Sequence, residues 1–186
     1  MKKLLSVFLF SFVLVLSACG SDKPEAKREP KQDEIKKDEP VKKAKEKESD
    51  IYFDGKVAQI EMLKVEIKET KVIPVGEEGN EYGDKPVFAI WYDATNLSGE
   101  DIDPITAWLA IFTAIQDNDP NMVNELGVGS SPDEAHLDTQ SNTIKKDGTV
   151  ENSIAYELDD LETPVTLVAT QGMLGDKIGE ENYEIK

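Results

Sequence analysis

Apolar and charged residues alternate in the segment LKVEIKETKVI, which begins at Leu63. Leu63, Val65 and Ile67 fall on one side of an extended chain, and the charged residues between them fall on the other. This period of two predicts a strand with one buried face. The segment TVENSIAYEL repeats the pattern after a turn at residues 146–148. It predicts a second such strand, with its inward and outward residues given by parity.

In that second strand we expect the apolar residues to point inward and the glutamates to face water. The expected inward residues are Val150, Ile154, Tyr156 and Leu158, and the expected outward residues are Glu151 and Glu157. The segment PVFAIWYDATN has β-branched and aromatic residues at both parities and ends at Asn96, which predicts a central strand covered on both faces. TPVTLVATQG predicts a further strand that begins at Pro164. Proline is tolerated at the first residue of a strand, where its missing N–H is not needed for pairing.

The segment DPITAWLAIFTAIQDNDP carries both periodicities. Trp108, Ile111 and Phe112 have helical spacing, but Leu109, Ile111 and Thr113 alternate as in a strand. We expect a turn of helix near Pro104 that leads into a strand, and a second short helix in NMVNEL. Short strands separated by Gly, Pro, Asn and Asp clusters predict an all-β antiparallel sandwich with one or two short helices.

The N-terminal residues have the pattern of an export signal. Lys2 and Lys3 precede an apolar run from Leu4 to Leu16, which is shorter than the roughly 20 residues that a membrane-spanning helix needs. The following LSAC resembles the lipobox of bacterial lipoproteins. This resemblance implies that residues 1–18 are removed and that Cys19, the single cysteine, receives a diacylglycerol. No thiol would then remain for a disulfide or a metal site.

Residues 20–50 are almost entirely Lys, Glu, Asp and Pro, with ten basic and ten acidic residues. Such a segment buries too little apolar surface to fold, and its prolines interrupt a helix. We therefore expect residues 19–50 to be a lipidated cysteine and a disordered tether, spanning on the order of 30 Å. Residues 51–186 are then one folded domain.

The predicted domain is strongly acidic. The whole chain has 21 basic and 38 acidic residues; without Lys2, Lys3 and the tether, 9 basic and 28 acidic residues remain, a net charge of −19. Nucleic acid is excluded as an expected partner, since phosphate binding depends on clustered Lys and Arg. Direct adsorption to an anionic bilayer is disfavoured for the same reason.

The domain also resembles a Gram-positive lipoprotein family with a C-terminal immunoglobulin-like domain of unknown function. The resemblance covers nearly all of residues 51–186. It lies in the strand that ends at Thr95-Asn96, the turn at residues 144–148, the segment Tyr156-Glu157-Leu158-Asp159, and Pro164-Val165. These are scaffold motifs, so the resemblance implies an immunoglobulin-like sandwich and carries over no catalytic residue.

Candidate catalytic groups are few. His136 is the only histidine and lies near Ser130, Ser131, Asp133 and Asp138. A Ser-His-Asp triad needs partners fixed in space, whereas SSPDEAHLDT is typical of a polar loop, so we favour a solvated histidine. A carboxylate pair of the glycosidase type could exist among so many acids, because the sequence does not give their separation. No motif indicates a cofactor, and we expect none.

A hard cation is the most plausible metal. We expect no metal site. The weak candidates for calcium ligands are the aspartates that flank the helix-to-strand segment, because oxygen ligands suit calcium. They are Asp101, Asp103, Asp117 and Asp119. DNDPNMVNELGV fails the EF-hand template at its Gly and Glu positions. Trp91 and Trp108 could stack on sugars, but their apolar surroundings favour the core.

The sequence thus predicts a lipoprotein on the extracellular face of the cell membrane, anchored through acylated Cys19. Its acidic domain is expected to be a non-enzymatic binding or adhesion module for an unknown protein or cell-envelope partner. The alternative is a hydrolase of cell-envelope polymer that uses a carboxylate pair.

Overall fold

The structure, a computed structural model, describes residues 50–186. Within this range eight strands form two antiparallel sheets, one of five strands and one of three. The strands are β1 (Tyr52–Phe53), β2 (Val57–Gln59), β3 (Leu63–Ile73), β4 (Val87–Asn96), β5 (Phe112–Ile115), β6 (Thr149–Glu157), β7 (Val165–Thr170) and β8 (Lys177–Tyr183). The predicted all-β antiparallel sandwich is confirmed. The predictions for the signal peptide, Cys19 and the tether concern residues that lie outside the described range.

The larger sheet has the order β1-β2-β3-β4-β6, and the smaller one has the order β5-β7-β8. One core of apolar side chains from both sheets lies between them. The predicted inward residues Ile154, Tyr156 and Leu158 are buried in this core, and the predicted outward residues Glu151 and Glu157 are exposed. The period-two interpretation of β6 is therefore confirmed.

Strand β3 contains a β-bulge. Ile67 pairs with Tyr92 and Glu69 pairs with Trp91, so Lys68 is an extra residue without a partner in the ladder. A bulge of one residue reverses which parity faces the core. Leu63, Val65 and Ile67 point into the sandwich as predicted, whereas Ile73 at the end of the strand lies on the outer face of the sheet.

Strand β4 is covered on both faces only in its first half. Residues 87–90 are all buried, and beyond them buried and partly exposed residues alternate. Val87 and Ala89 belong to a small outer cluster with Ile73 and Ala155, separate from the main core. The second sheet packs on the opposite face, so this part of the outer face is covered by loops. These are the β3–β4 loop, residues 74–86, and residues 130–137.

A helix of two turns, α1 (Pro104–Ile111), precedes β5 directly, as predicted. Asp103 caps its first turn by accepting a hydrogen bond from Thr106 N at 2.8 Å, and Pro104 occupies a position where its missing N–H is not needed. The helix places Trp108 in the core between Tyr92 and Phe112, with ring centroids 4.6 and 4.4 Å away.

The predicted helix in NMVNEL is wrong. Asp119 Oδ1 accepts the backbone N–H of Asn121 at 2.7 Å, which closes a turn in place of a helix cap. The chain then runs back beside β5, where Leu126 N donates to Ala114 O at 2.9 Å. NMVNEL thus begins as a bend and ends in an isolated bridge between Glu125 and Ile115, instead of forming a helix.

Candidate functional site

A groove of about 550 Å³ lies on the outer face of the larger sheet. Its floor is formed by Lys71 and Ile73 of β3 and Trp91 of β4. The β3–β4 loop, residues 74–86, supplies one wall, and residues 130–137 supply the other. Ligand pockets in proteins have volumes of about 300–1,000 Å³, so the groove is large enough for a small ligand or a short peptide segment.

The β3–β4 loop is held in shape by Asn80, which is buried. Its Nδ2 donates to Ile73 O at 3.1 Å and to Lys85 O at 2.9 Å, so the amide ties together the two ends of the loop. Gly79 has φ of +88°, and a Cβ there would lie 2.4 Å from the carbonyl oxygen of Pro132. Only glycine permits this close contact between the two walls.

The second wall is attached to the sheet through Trp91. The indole Nε1 of Trp91 donates to Asp133 Oδ2 at 3.1 Å, and Ala135 N donates to Asp133 Oδ1 at 2.9 Å. The Trp91 hydrogen bond, followed by that from Ala135, lowers the pKa of Asp133 below its ordinary value. Asp133 therefore places a persistent negative charge beside the indole in the groove.

His136 is a second point of attachment. It ends a single 3-10 turn, Glu134–His136, and its Nδ1 lies 2.9 Å from Ser153 Oγ on β6. The residue is partly buried and seated on the sheet, where the sequence predicted a solvated loop histidine. Ser153 is only 1% exposed, which makes its hydroxyl inaccessible to a substrate. The contact fixes the wall on the sheet.

In residues 50–186 the His136 ring is hydrogen-bonded to Ser153 and to none of the serines and aspartates considered for a triad. Ser131 Oγ donates to the backbone oxygen of Asp133, and the Asp133 carboxylate is bonded to Trp91 and Ala135. Asp138 is exposed after the 3-10 turn. The hydrogen bonds of this segment therefore stabilise the loop and its seat on β6.

The four aspartates considered as metal ligands lie at opposite ends of α1 and β5. Asp103 caps α1, and Asp119 closes the turn after β5, so both carboxylates already accept backbone hydrogen bonds. Asp101 and Asp117 are exposed beside them. Within residues 50–186 no group of three or more His, Cys, Asp or Glu side chains is arranged to hold a metal ion.

The two tryptophans have different environments. Trp108 is fully buried, as predicted. Trp91 was also expected in the core, and this was wrong: it is only partly buried and lines the groove. The β3–β4 loop offers one sequence signal of its own: Tyr82 in PVGEEGNEYGD is an aromatic residue in a polar, glycine-rich segment. Tyr82 is 98% exposed on the groove wall.

The groove is rich in negative charge. Its lining includes four carboxylates and one ammonium group, a local net charge of −3. They are Glu78, Glu81, Asp133 and Glu134, with Lys71 as the single basic residue. The carboxylates provide hydrogen-bond acceptors, and Trp91 and Tyr82 provide aromatic surface. Both features are typical of ligand-binding sites.

In the part of the chain that the structure describes, no helix has the length and apolar character needed to cross a membrane. No curated protein matches the chain. Two solved structures are similar to it. A protein of Staphylococcus aureus described as a candidate lipoprotein has 20% identity and a TM-score of 0.60, over 73% of this chain and 92% of that one. At this identity the likeness concerns the fold.

A conserved hypothetical protein of Bacillus anthracis has 12% identity and a TM-score of 0.42, over 69% of this chain and 95% of that one. A family model described as a domain of unknown function, DUF5067, matches residues 23–171. This match covers most of the chain. The protein therefore belongs to the DUF5067 family of domains of unknown function.

Proposed function

We propose that this protein is a lipid-anchored binding module on the extracellular face of the cell membrane, and that its ligand occupies the groove. Acylated Cys19 would hold the chain in the bilayer, and residues 20–50 would carry the immunoglobulin-like domain away from the surface. The description of the staphylococcal neighbour as a candidate lipoprotein agrees with this anchor. So does the lipobox-like LSAC before the predicted tether.

The observation that carries the proposal is the preformed groove. Its walls are fixed by hydrogen bonds from Asn80, Trp91 and Ala135, so a ligand would not have to order them. Preorganisation reduces the entropic cost of binding. Partly exposed Trp91 and fully exposed Tyr82 supply contact area at a low cost in side-chain entropy.

The alternative of a hydrolase with a carboxylate pair receives less support from this groove. A general acid needs a raised pKa so that it holds a proton near neutral pH. The pKa of Asp133 is lowered by its hydrogen bonds with Trp91 and Ala135, so this carboxylate is suited to holding charge. Asp133 is therefore unsuited to be the general acid of such a pair, and we propose binding without chemical conversion of the ligand.

The binding role is tested by photo-crosslinking on living cells. A benzophenone amino acid replaces Leu137, which is 49% exposed on the groove wall. The control replaces Leu109, which is 44% exposed on α1 and does not line the groove. We expect position 137 to give a discrete crosslinked product with an envelope component and position 109 to give none. The same products from both positions, or none from 137, would contradict a ligand in the groove.

The anchor is tested by replacing Cys19 with serine. Because the hydroxyl of serine does not form the thioether, Cys19→Ser should abolish incorporation of labelled fatty acid. The protein should then remain as uncleaved precursor or leave the cell. Gly20→Ser leaves the thiol in place and is the control, which should keep its label. Normal labelling of Cys19→Ser would disprove the lipid anchor.

A further inference from the structure

We infer that the groove binds a basic peptide segment of a partner protein, with a Lys or Arg side chain held between Trp91 and the surrounding carboxylates. This inference rests on the proposed function, since it names the ligand class of the same site. Its first support is charge. The lining carboxylates outnumber the single ammonium group four to one, and the domain as a whole carries a net charge of −19.

The charges are placed around the groove, not along one edge. Glu78 and Glu81 belong to the β3–β4 wall, whereas Asp133 and Glu134 belong to the opposite wall. A cationic side chain lying between the walls would therefore have carboxylates on both sides. Such an arrangement also accelerates the approach of a basic partner, because the field of the acidic domain attracts it over several ångströms.

The aromatic residues favour an organic cation over a metal ion. Trp91 forms part of the floor, and tryptophan has the strongest cation–π attraction of the aromatic side chains. Its Nε1 already donates to Asp133, which keeps the carboxylate adjacent to the ring edge. The exposed Leu137 adds apolar surface for packing against the aliphatic stem of Lys or Arg.

Other occupants fit less well. An anionic ligand would face four carboxylates and one lysine, Lys71. A neutral sugar could stack on Trp91 but would leave the carboxylates without a charged partner. The carboxylates are also not arranged as a metal-binding group in residues 50–186. A basic peptide is the ligand that uses the aromatic floor and both acidic walls together.

The two tryptophans allow a direct test by nuclear magnetic resonance. The full lipidated chain, in a neutral detergent, gives two indole N–H signals that Trp91→Phe assigns. Titration with acetyl-Lys-Arg-Lys-amide should shift the Trp91 signal saturably and leave the Trp108 signal in place, since Trp108 is fully buried. Acetyl-Gln-Gln-Gln-amide is the neutral control, and a short neutral oligosaccharide tests the sugar alternative. Neither should move the Trp91 signal.

Charge-removing variants separate the groove from the general acidity of the domain. A triple variant should bind the basic peptide with about tenfold lower affinity, because three modest ion pairs are removed. Its substitutions are Glu78→Gln, Glu81→Gln and Glu134→Gln. The matched control removes three exposed glutamates that do not line the groove, Glu61, Glu100 and Glu184, and should change affinity less than about twofold.

Several results would overturn the inference. These are an unmoved Trp91 signal, equal losses in both triple variants, or a shift caused by the oligosaccharide or the neutral peptide. A failure here combined with a specific crosslink from position 137 would leave the binding module in place and exclude a basic ligand. Absence of both the Trp91 shift and the crosslink from position 137 would contradict the proposed function itself.

Discussion

Trp108→Ala should lower the free energy of unfolding by about 3–5 kcal/mol, as removal of a buried aromatic side chain does. Trp108 is 0% exposed and stacks at ring centroid distances of 4.6 Å from Tyr92 and 4.4 Å from Phe112. Its Nε1 also donates to the hydroxyl of Tyr156 at 2.8 Å. The substitution therefore leaves a large cavity and a buried hydroxyl without this donor.

The matched control is Trp91→Ala, the same change at the only other tryptophan. Trp91 is partly buried and packs on the small outer cluster, so we expect a loss of about 1–2 kcal/mol. Urea unfolding followed by far-ultraviolet circular dichroism measures both free energies. Equal losses would show that the sandwich core does not depend on Trp108 in the way that its contacts indicate.

The core was predictable from the sequence wherever one face of a strand is wet. In β6, parity correctly placed Ile154 and Tyr156 in the main core and left Glu157 exposed. It did not predict that Ser153 and Ala155, on the other face, are buried as well. Helix α1 was predictable from Asp103 and Pro104, a cap and a first-turn proline. In each case local sequence and tertiary packing require the same conformation.

The groove was not predictable, because it depends on the bulge at Lys68. Simple alternation through β3 would place Ile73 on the same face as Leu63. The extra residue reverses the parity, so Lys71 and Ile73 lie on the outer face beside β4, where Trp91 also lies. The charged residues Glu69 and Lys71 interrupt the inward apolar parity after Ile67, but this interruption does not distinguish a bulge from the end of the strand.

The loops of the groove were difficult for a related reason. Their shape depends on contacts between distant residues, such as the approach of Gly79 to Pro132 and the contact of His136 with Ser153. One sequence signal did bear on the site: the first half of β4 is apolar at both parities, which indicates that its outer face is covered there. This signal indicated that other residues cover the outer face of β4, but it did not identify those residues.

Asn96→Leu should lower the free energy of unfolding by about 3–4 kcal/mol, because the change keeps the side-chain size and removes several hydrogen bonds. Asn96 is 0% exposed at the end of β4. Its Nδ2 donates to Glu100 O and to Ile144 O, both at 2.9 Å, and its Oδ1 accepts from Ser98 N at 2.9 Å. Leucine would leave these backbone groups without partners in or near the core.

Asn152→Leu is the matched control, since Asn152 is also 0% exposed and lies in the same sheet. Its Oδ1 accepts from the adjacent Ser153 N at 2.7 Å, but no atom of residues 50–186 accepts a hydrogen bond from its Nδ2. Loss of the one bond is offset by removal of a buried, unpartnered amide, so we expect a change within about 1 kcal/mol. Urea unfolding of the two variants measures the difference. Similar losses would mean that burial of an asparagine, and not the pairing of its amide with Glu100 and Ile144, determines its contribution to stability.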